Sequence, residues 1–166
     1  MRQLWAAALV ATAAAFELAS FTYSAGEGLI TLTFDEAVQS RTLNASGIVL
    51  MSNATAERAP MQRFRLRGAH PTLGQFLYTT PYNTTETLTL VMRDDDLLEV
   101  QALSDLAVDA KSVWLVAEEG LARAVSDNDR SAAITKPLEV DTYVPDTLQS
   151  EMELYTIDMH EGLICF

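Results

Sequence analysis

The segment Leu29-Ile30-Thr31-Leu32-Thr33-Phe34 alternates without a break. Ile30, Leu32 and Phe34 fall on one side, Thr31 and Thr33 on the other. A period of two with one apolar and one hydroxyl side is that of a strand with one face on a core and the other in water. Its lead-in recurs. Glu27-Gly28-Leu29-Ile30 returns as Glu161-Gly162-Leu163-Ile164, 134 positions later. Upstream, Glu17-Leu18 matches Glu153-Leu154 at an offset of 136, which implies two residues lost between. Self-similarity at a fixed spacing marks a tandem array. The chain therefore reads as one whole unit over 16–143, a linker over 144–149 and the first hairpin of a second unit over 150–166. On this reading the last strand has an unpaired edge, and the sequence is a piece of a longer protein.

The chain has 23 acidic against 11 basic side chains, a net charge of −12. Such a surface repels nucleic acid and anionic lipid and attracts cations, so no nucleic-acid partner is expected. A single cysteine, Cys165, rules out an internal disulfide framework. Stability must then come from packing of the sheets.

Met1-Arg2-Gln3 is positively charged, and Leu4 to Ala15 is an apolar run of twelve. Ala11-Thr12-Ala13 and Ala13-Ala14-Ala15 offer the small-x-small spacing of a cleavage site, so 1–15 reads as a secretory signal or as a misplaced start. As a helix the run spans only about 18 Å, too short for a bilayer core. No other segment is expected to span a membrane. Three N-glycosylation acceptors, Asn44-Ala45-Ser46, Asn53-Ala54-Thr55 and Asn83-Thr84-Thr85, fall in expected loops and agree with a secreted or cell-surface protein.

Further strands are expected at Glu17–Tyr23, Ile48–Met51, Gln62–Leu66, Glu86–Met92, Ser112–Ala117 and Leu138–Thr142. In the first, Leu18, Ser20 and Thr22 alternate with Ala19, Phe21 and Tyr23. Asp35-Glu36-Ala37-Val38 is expected to leave the sheet. Ser112–Ala117 is apolar on both faces, which makes it central, with Trp114 as a core anchor. Asp94 to Leu103 is the one convincing helix, with Asp94 or Asp95 as its cap and Leu97, Val100, Leu103 and Leu106 on its apolar face. About seven short strands and one short helix suggest an all-β chain, a two-sheet antiparallel sandwich of the immunoglobulin type.

The segment LITLTFDEAV, followed by TLNASGIVL, resembles the opening of the immunoglobulin-like repeats of bacterial S-layer and related surface proteins. The stretch from TLTLVMRDDDLLEVQAL through PLEVDTYVPDT is similar to the second half of the long acidic form of that repeat. The resemblance covers Phe16 to Thr147. It departs at Ser126-Asp127-Asn128-Asp129, and no proline follows Glu36. It implies a non-catalytic structural or adhesion repeat that stacks on neighbouring repeats and contacts other surface proteins or glycans.

No nucleophile elbow, P-loop or dinucleotide fingerprint occurs, and His70 and His160 have no second ligand near them, so no enzyme is expected. Calcium is the one inorganic partner the composition suggests, since it takes oxygens from Asp, Asn and Glu. Its candidate ligands are Asp35 and Glu36 after the central strand, the turn Asp127, Asn128 and Asp129, and Asp141 and Asp146 flanking the linker. If these sets meet at one end, calcium stiffens the joint; otherwise they are solvated turn acids. An alternative reading is a carbohydrate-binding accessory module of a secreted enzyme. Its contacts would be the loop aromatics Phe76, Tyr78 and Tyr82 with the alternating Arg63, Arg65 and Arg67. Against it, alternating arginines more commonly pair with acids or protect a sheet edge.

Overall fold

The computed structural model describes residues 16–55, 61–71, 84–147, 156–158 and 163–165. The alternation at Leu29 does what its period requires. Strand β2 (Leu29–Gln39) buries Ile30, Leu32 and Phe34 and leaves Thr31 and Thr33 half-exposed. It pairs on one side with β1 (Leu18–Ser24) and on the other with β6 (Thr84–Met92), both antiparallel. The five-stranded sheet is completed by β5 (Ala69–Pro71) beside β6 and β9 (Thr142–Val144) beside β1, in the order β5-β6-β2-β1-β9. A second sheet has the order β4-β3-β7-β8, from β3 (Ile48–Met51), β4 (Arg63–Arg65), β7 (Trp114–Ala117) and β8 (Ile134–Glu139). The chain is therefore mostly β, with two sheets facing each other across one core. Phe21, Leu32 and Leu88 come from the first sheet, Ile48, Leu50 and Leu115 from the second. Helix α1 (Asp94–Ala102) buries Val100 in that core, and Leu106 follows it in, with Leu97 and Leu103 packed at its margin.

Several expectations are corrected. Asp35–Val38 does not leave the sheet: β2 runs on to Gln39, and its register with β6 slips between Thr33 and Val38, where Val38 turns fully inward. Leu18, Phe21 and Tyr23 are all buried because the β1–β2 register shifts between Leu18 and Ser20, a bulge that breaks simple alternation. The two sheets share nine strands among the described residues, against the seven or so expected, and they are not purely antiparallel. The single strand expected at Leu138–Thr142 is two. β8 pairs with β7; the chain then crosses to the other sheet and β9 runs parallel to β1, taking in Val144, expected as linker. Trp114 is not a core anchor. β7 is central, but Val113, Leu115 and Ala117 take its inward side, and Trp114 lies half-buried on the outer face. Its indole Nε1 donates to Lys111 O at 3.0 Å, on a 3-10 turn closed by the capping box of Asp109 and Ser112. The start of α1 is not capped by Asp94 or Asp95; Arg93 is the N-cap and makes no side-chain cap bond.

A short hairpin further along the chain has facing pairs that can be compared with those of β1 and β2. In the hairpin β10 (Thr156–Asp158) and β11 (Leu163–Cys165), Asp158 faces Leu163, Ile157 faces Ile164 and Thr156 faces Cys165. In β1–β2, Ser24 faces Leu29, Tyr23 faces Ile30 and Thr22 faces Thr31. Both strands of this hairpin thus lie 134 positions from β1 and β2, with four residues between the strands in each case. Glu153 and Leu154, which carry the offset of 136, lie outside the described residues.

Candidate functional site: the outer face of the four-stranded sheet

Because side chains alternate, the outer face of the β4-β3-β7-β8 sheet is set by register. Val49 sits between Arg65 and Val116, and Met51 between Arg63 and Trp114. These rungs make an apolar floor with two arginines along one side. The groove above it, about 530 Å³, is closed by Glu118, Ile134 and Pro137 on the far side. Both edge strands of this sheet resist further pairing. β4 carries Arg63 and Arg65, and Pro137 on β8 falls where the β7–β8 register is interrupted.

Phe64 and Leu66 face the core while Arg63, Arg65 and Arg67 are exposed, as the alternation requires. The three arginines do not form a free basic stripe. Arg65 pairs with Glu118 at 2.6 Å and donates to Ser46 O at 3.2 Å. That hydrogen bond and charge hold the Glu118 carboxyl below its usual range and raise the Arg65 guanidinium. Arg67 pairs with Glu99, its backbone amide donates to Asp96 Oδ2 at 2.9 Å, and its guanidinium lies 6.0 Å from the Phe64 ring centre. Arg63 makes no ion pair among the described residues. The aromatics Phe76, Tyr78 and Tyr82 lie outside the described residues, as does Asn83.

The structure brings together some of the expected metal ligands and separates the rest. Asp35 exchanges hydrogen bonds with Glu17 at the start of β1. Glu36 accepts from Ser126, and Gln39 Nε2 donates to Asn128 Oδ1 at 3.2 Å, so the Asp127–Asp129 turn sits at this same end. That turn is closed internally by Asp129 N on Asp127 Oδ1, with Asn128 at φ 64°. Asp141 is midway along β1, its amide on Phe21 O. Asp146 is at the far end, against Gly26. Asp146 is therefore separated from the first set by the length of β1, about 20 Å, with Asp141 between them. Among the described residues no three His, Cys, Asp or Glu side chains cluster closely enough to hold a metal.

Of the two glycosylation acceptors described, Asn44 is exposed between two 3-10 turns, and the Ser46 hydroxyl of its own acceptor triplet donates to its Oδ1 at 2.7 Å. Asn53 follows β3, and its Oδ1 is buried without a partner among the described residues. No helix among the described residues is long and apolar enough to cross a membrane. No protein-family model matches the chain, and no curated protein or solved structure matches it.

Proposed function

We propose that the chain is an immunoglobulin-like structural or adhesion repeat of a secreted or cell-surface protein, followed by the opening hairpin of a second such repeat. The observation that carries this reading is the shared register of β1–β2 and β10–β11 at a constant offset of 134 residues. Same turn length and same facing pairs are what a duplicated unit requires; chance recurrence of four letters does not require them. The strand order adds support. The first, second and fifth core strands (β1, β2, β6) adjoin in one sheet, and the third, sixth and seventh (β3, β7, β8) in the other, as in the Greek-key order of immunoglobulin domains.

The alternative, a carbohydrate-binding accessory module, retains the groove and Arg63 but finds Arg65 and Arg67 already paired with carboxylates. The structural reading is therefore preferred. It is tested by producing the full chain in a eukaryotic secretory host. The expected result is export with a glycan on Asn44, removed by Asn44→Gln. Retention of the chain inside the cell, with Asn44 unmodified, would sink the extracellular assignment.

A further inference from the structure

The outer face of the β4-β3-β7-β8 sheet carries three features that a spacer repeat does not require. The first is the groove itself, whose volume of about 530 Å³ is that of a small-molecule site. Its floor is Val49, Met51 and Val116, flanked by Met61, Ile134 and Pro137, all apolar. The second is a bulge. Between the pairs Leu115↔Leu138 and Ala117↔Ile134, β7 advances two positions and β8 advances four. A bulge bends its strand and re-aims side chains. Here the extra stretch of β8 supplies one side of the groove, through Thr135 and Pro137.

The third feature is Arg63. Arg65, two residues along the same strand, is held by Glu118 and Ser46 O, and Arg67 by Glu99. Arg63 is exposed, lines the groove beside Met51 and has no carboxylate partner among the described residues. This is in a chain with 23 acidic and 11 basic side chains. Glu139 ends the row Arg63, Met51, Trp114 on the far edge strand, three strands and about 14 Å away. That is beyond the screening length at physiological salt.

We propose that this groove binds a medium-chain fatty-acid anion, its hydrocarbon chain on Val49, Met51 and Val116 and its carboxylate on the Arg63 guanidinium. A guanidinium offers a carboxylate two parallel N–H donors. The floor strand β3, Ile48–Met51, spans about 13 Å, the reach of a chain such as decanoate. The floor also selects among anions. Sugar hydroxyls or peptide groups turned onto it would lose water without gaining a partner, because β3 is paired on both sides. A hydrocarbon chain loses nothing there. The net charge of −12 repels a polyanion, such as an acidic glycan, more than a single carboxylate. The site does not depend on the repeat reading, since the groove stands on one sheet of one unit.

Titration calorimetry of the full chain with decanoate tests the proposal. One saturable site is expected, with decanamide, the uncharged counterpart, at least fivefold weaker. Arg63→Met keeps an aliphatic stem at an exposed position and should bring decanoate down to the affinity of decanamide. Arg63→Lys should keep most of the difference. Val116→Thr holds the side-chain shape but wets the floor, and should weaken decanoate and decanamide alike. Absence of saturable decanoate binding overturns the proposal. So does equal decanoate affinity in the wild type and Arg63→Met. Tighter binding of trigalacturonate or of an acidic peptide than of decanoate overturns it as well, and would return the groove to glycan or protein recognition.

Discussion

Tyr143 on β9 lies against Tyr23 on β1, ring centroids 6.2 Å apart and planes inclined by 29°. The two are also facing partners in the one parallel pair of the five-stranded sheet. Tyr23 is almost fully buried, and loss of water around its phenol, with Tyr143 beside it, pushes its pKa from 10 up to about 12. Tyr143 is raised as well, by burial and by Asp109 and Asp146. A phenol whose pKa is higher in the folded state favours folding while neutral. That contribution is whole below pH 10 and is lost as pH climbs from 10 to 12. Two pKa units correspond to about 3 kcal/mol at most. Urea titrations across this window should show wild-type stability falling by up to that amount, and Tyr23→Phe falling distinctly less. Parallel curves for the two proteins would refute the burial argument.

Gly28 joins the turn to the central strand with φ +60°, and a Cβ there would meet the two Leu97 methyls at 3.1 and 3.3 Å. Its carbonyl also takes the Met92 amide at 2.8 Å, so the turn cannot simply back away from α1. Gly28→Ala should therefore cost about 1–3 kcal/mol, from left-handed backbone strain and overpacking together. Chemical denaturation measures it. A loss under about 0.5 kcal/mol would show that Leu97 rotates aside and that the backbone relaxes.

The run Asp94-Asp95-Asp96 looks uniform in sequence, yet its members differ in burial. Asp94 and Asp95 are exposed, whereas Asp96 is fully buried. Its Oδ2 accepts the Arg67 amide at 2.9 Å, and its Oδ1 has no hydrogen bond among the described residues, with Arg67 Nε 3.9 Å away. The carboxylate thus pins the start of α1 to the segment after β4. Asp96→Ala should cost about 1–3 kcal/mol by leaving the Arg67 amide unbonded. Asp94→Ala and Asp95→Ala should each stay within about 0.5 kcal/mol. Equal effects at all three positions, measured by thermal melts, would count against this division.

The all-β class and the buried faces of β2, β4 and α1 were legible because each rests on short-range periodicity. Leu88, Leu90 and Met92 on β6 were legible on the same grounds. What escaped is set by partners far along the chain. The bulge that turns both Leu18 and Phe21 inward appears only when β1 is laid on β2. Trp114 was misplaced because a strand apolar on both sides does not say which side is core; Val49, Met51 and the capped turn at Lys111 decide it. The crossing from β8 to β9 leaves no local trace, since Glu139 and Thr142 are ordinary strand neighbours that pair with different sheets. At the candidate site, the alternation of Arg63, Arg65 and Arg67 was correct. The neutralisation of Arg65 by Glu118 and of Arg67 by Glu99 was visible only as the chain's general excess of acid.

That excess of acid bears on calcium. A shell of six to eight oxygens needs several carboxylates at one point. Asp35, Glu36 and the Asp127–Asp129 turn are at the start of β1, Asp141 is beside Phe21, and Asp146 lies against Gly26 at its end. Glu36 and Asp127 are further occupied in accepting from Ser126 and from the Asp129 amide. Millimolar calcium should therefore leave the melting midpoint of the full chain within about 1 °C, because a ligand without a preformed site adds little to the folded state. A cation bound at 100 times its dissociation constant would add about 2.7 kcal/mol and move the midpoint by several degrees. A rise of that size, abolished by Asp127→Ala or Asp141→Ala, would mean that carboxylates separated here are gathered by the ion.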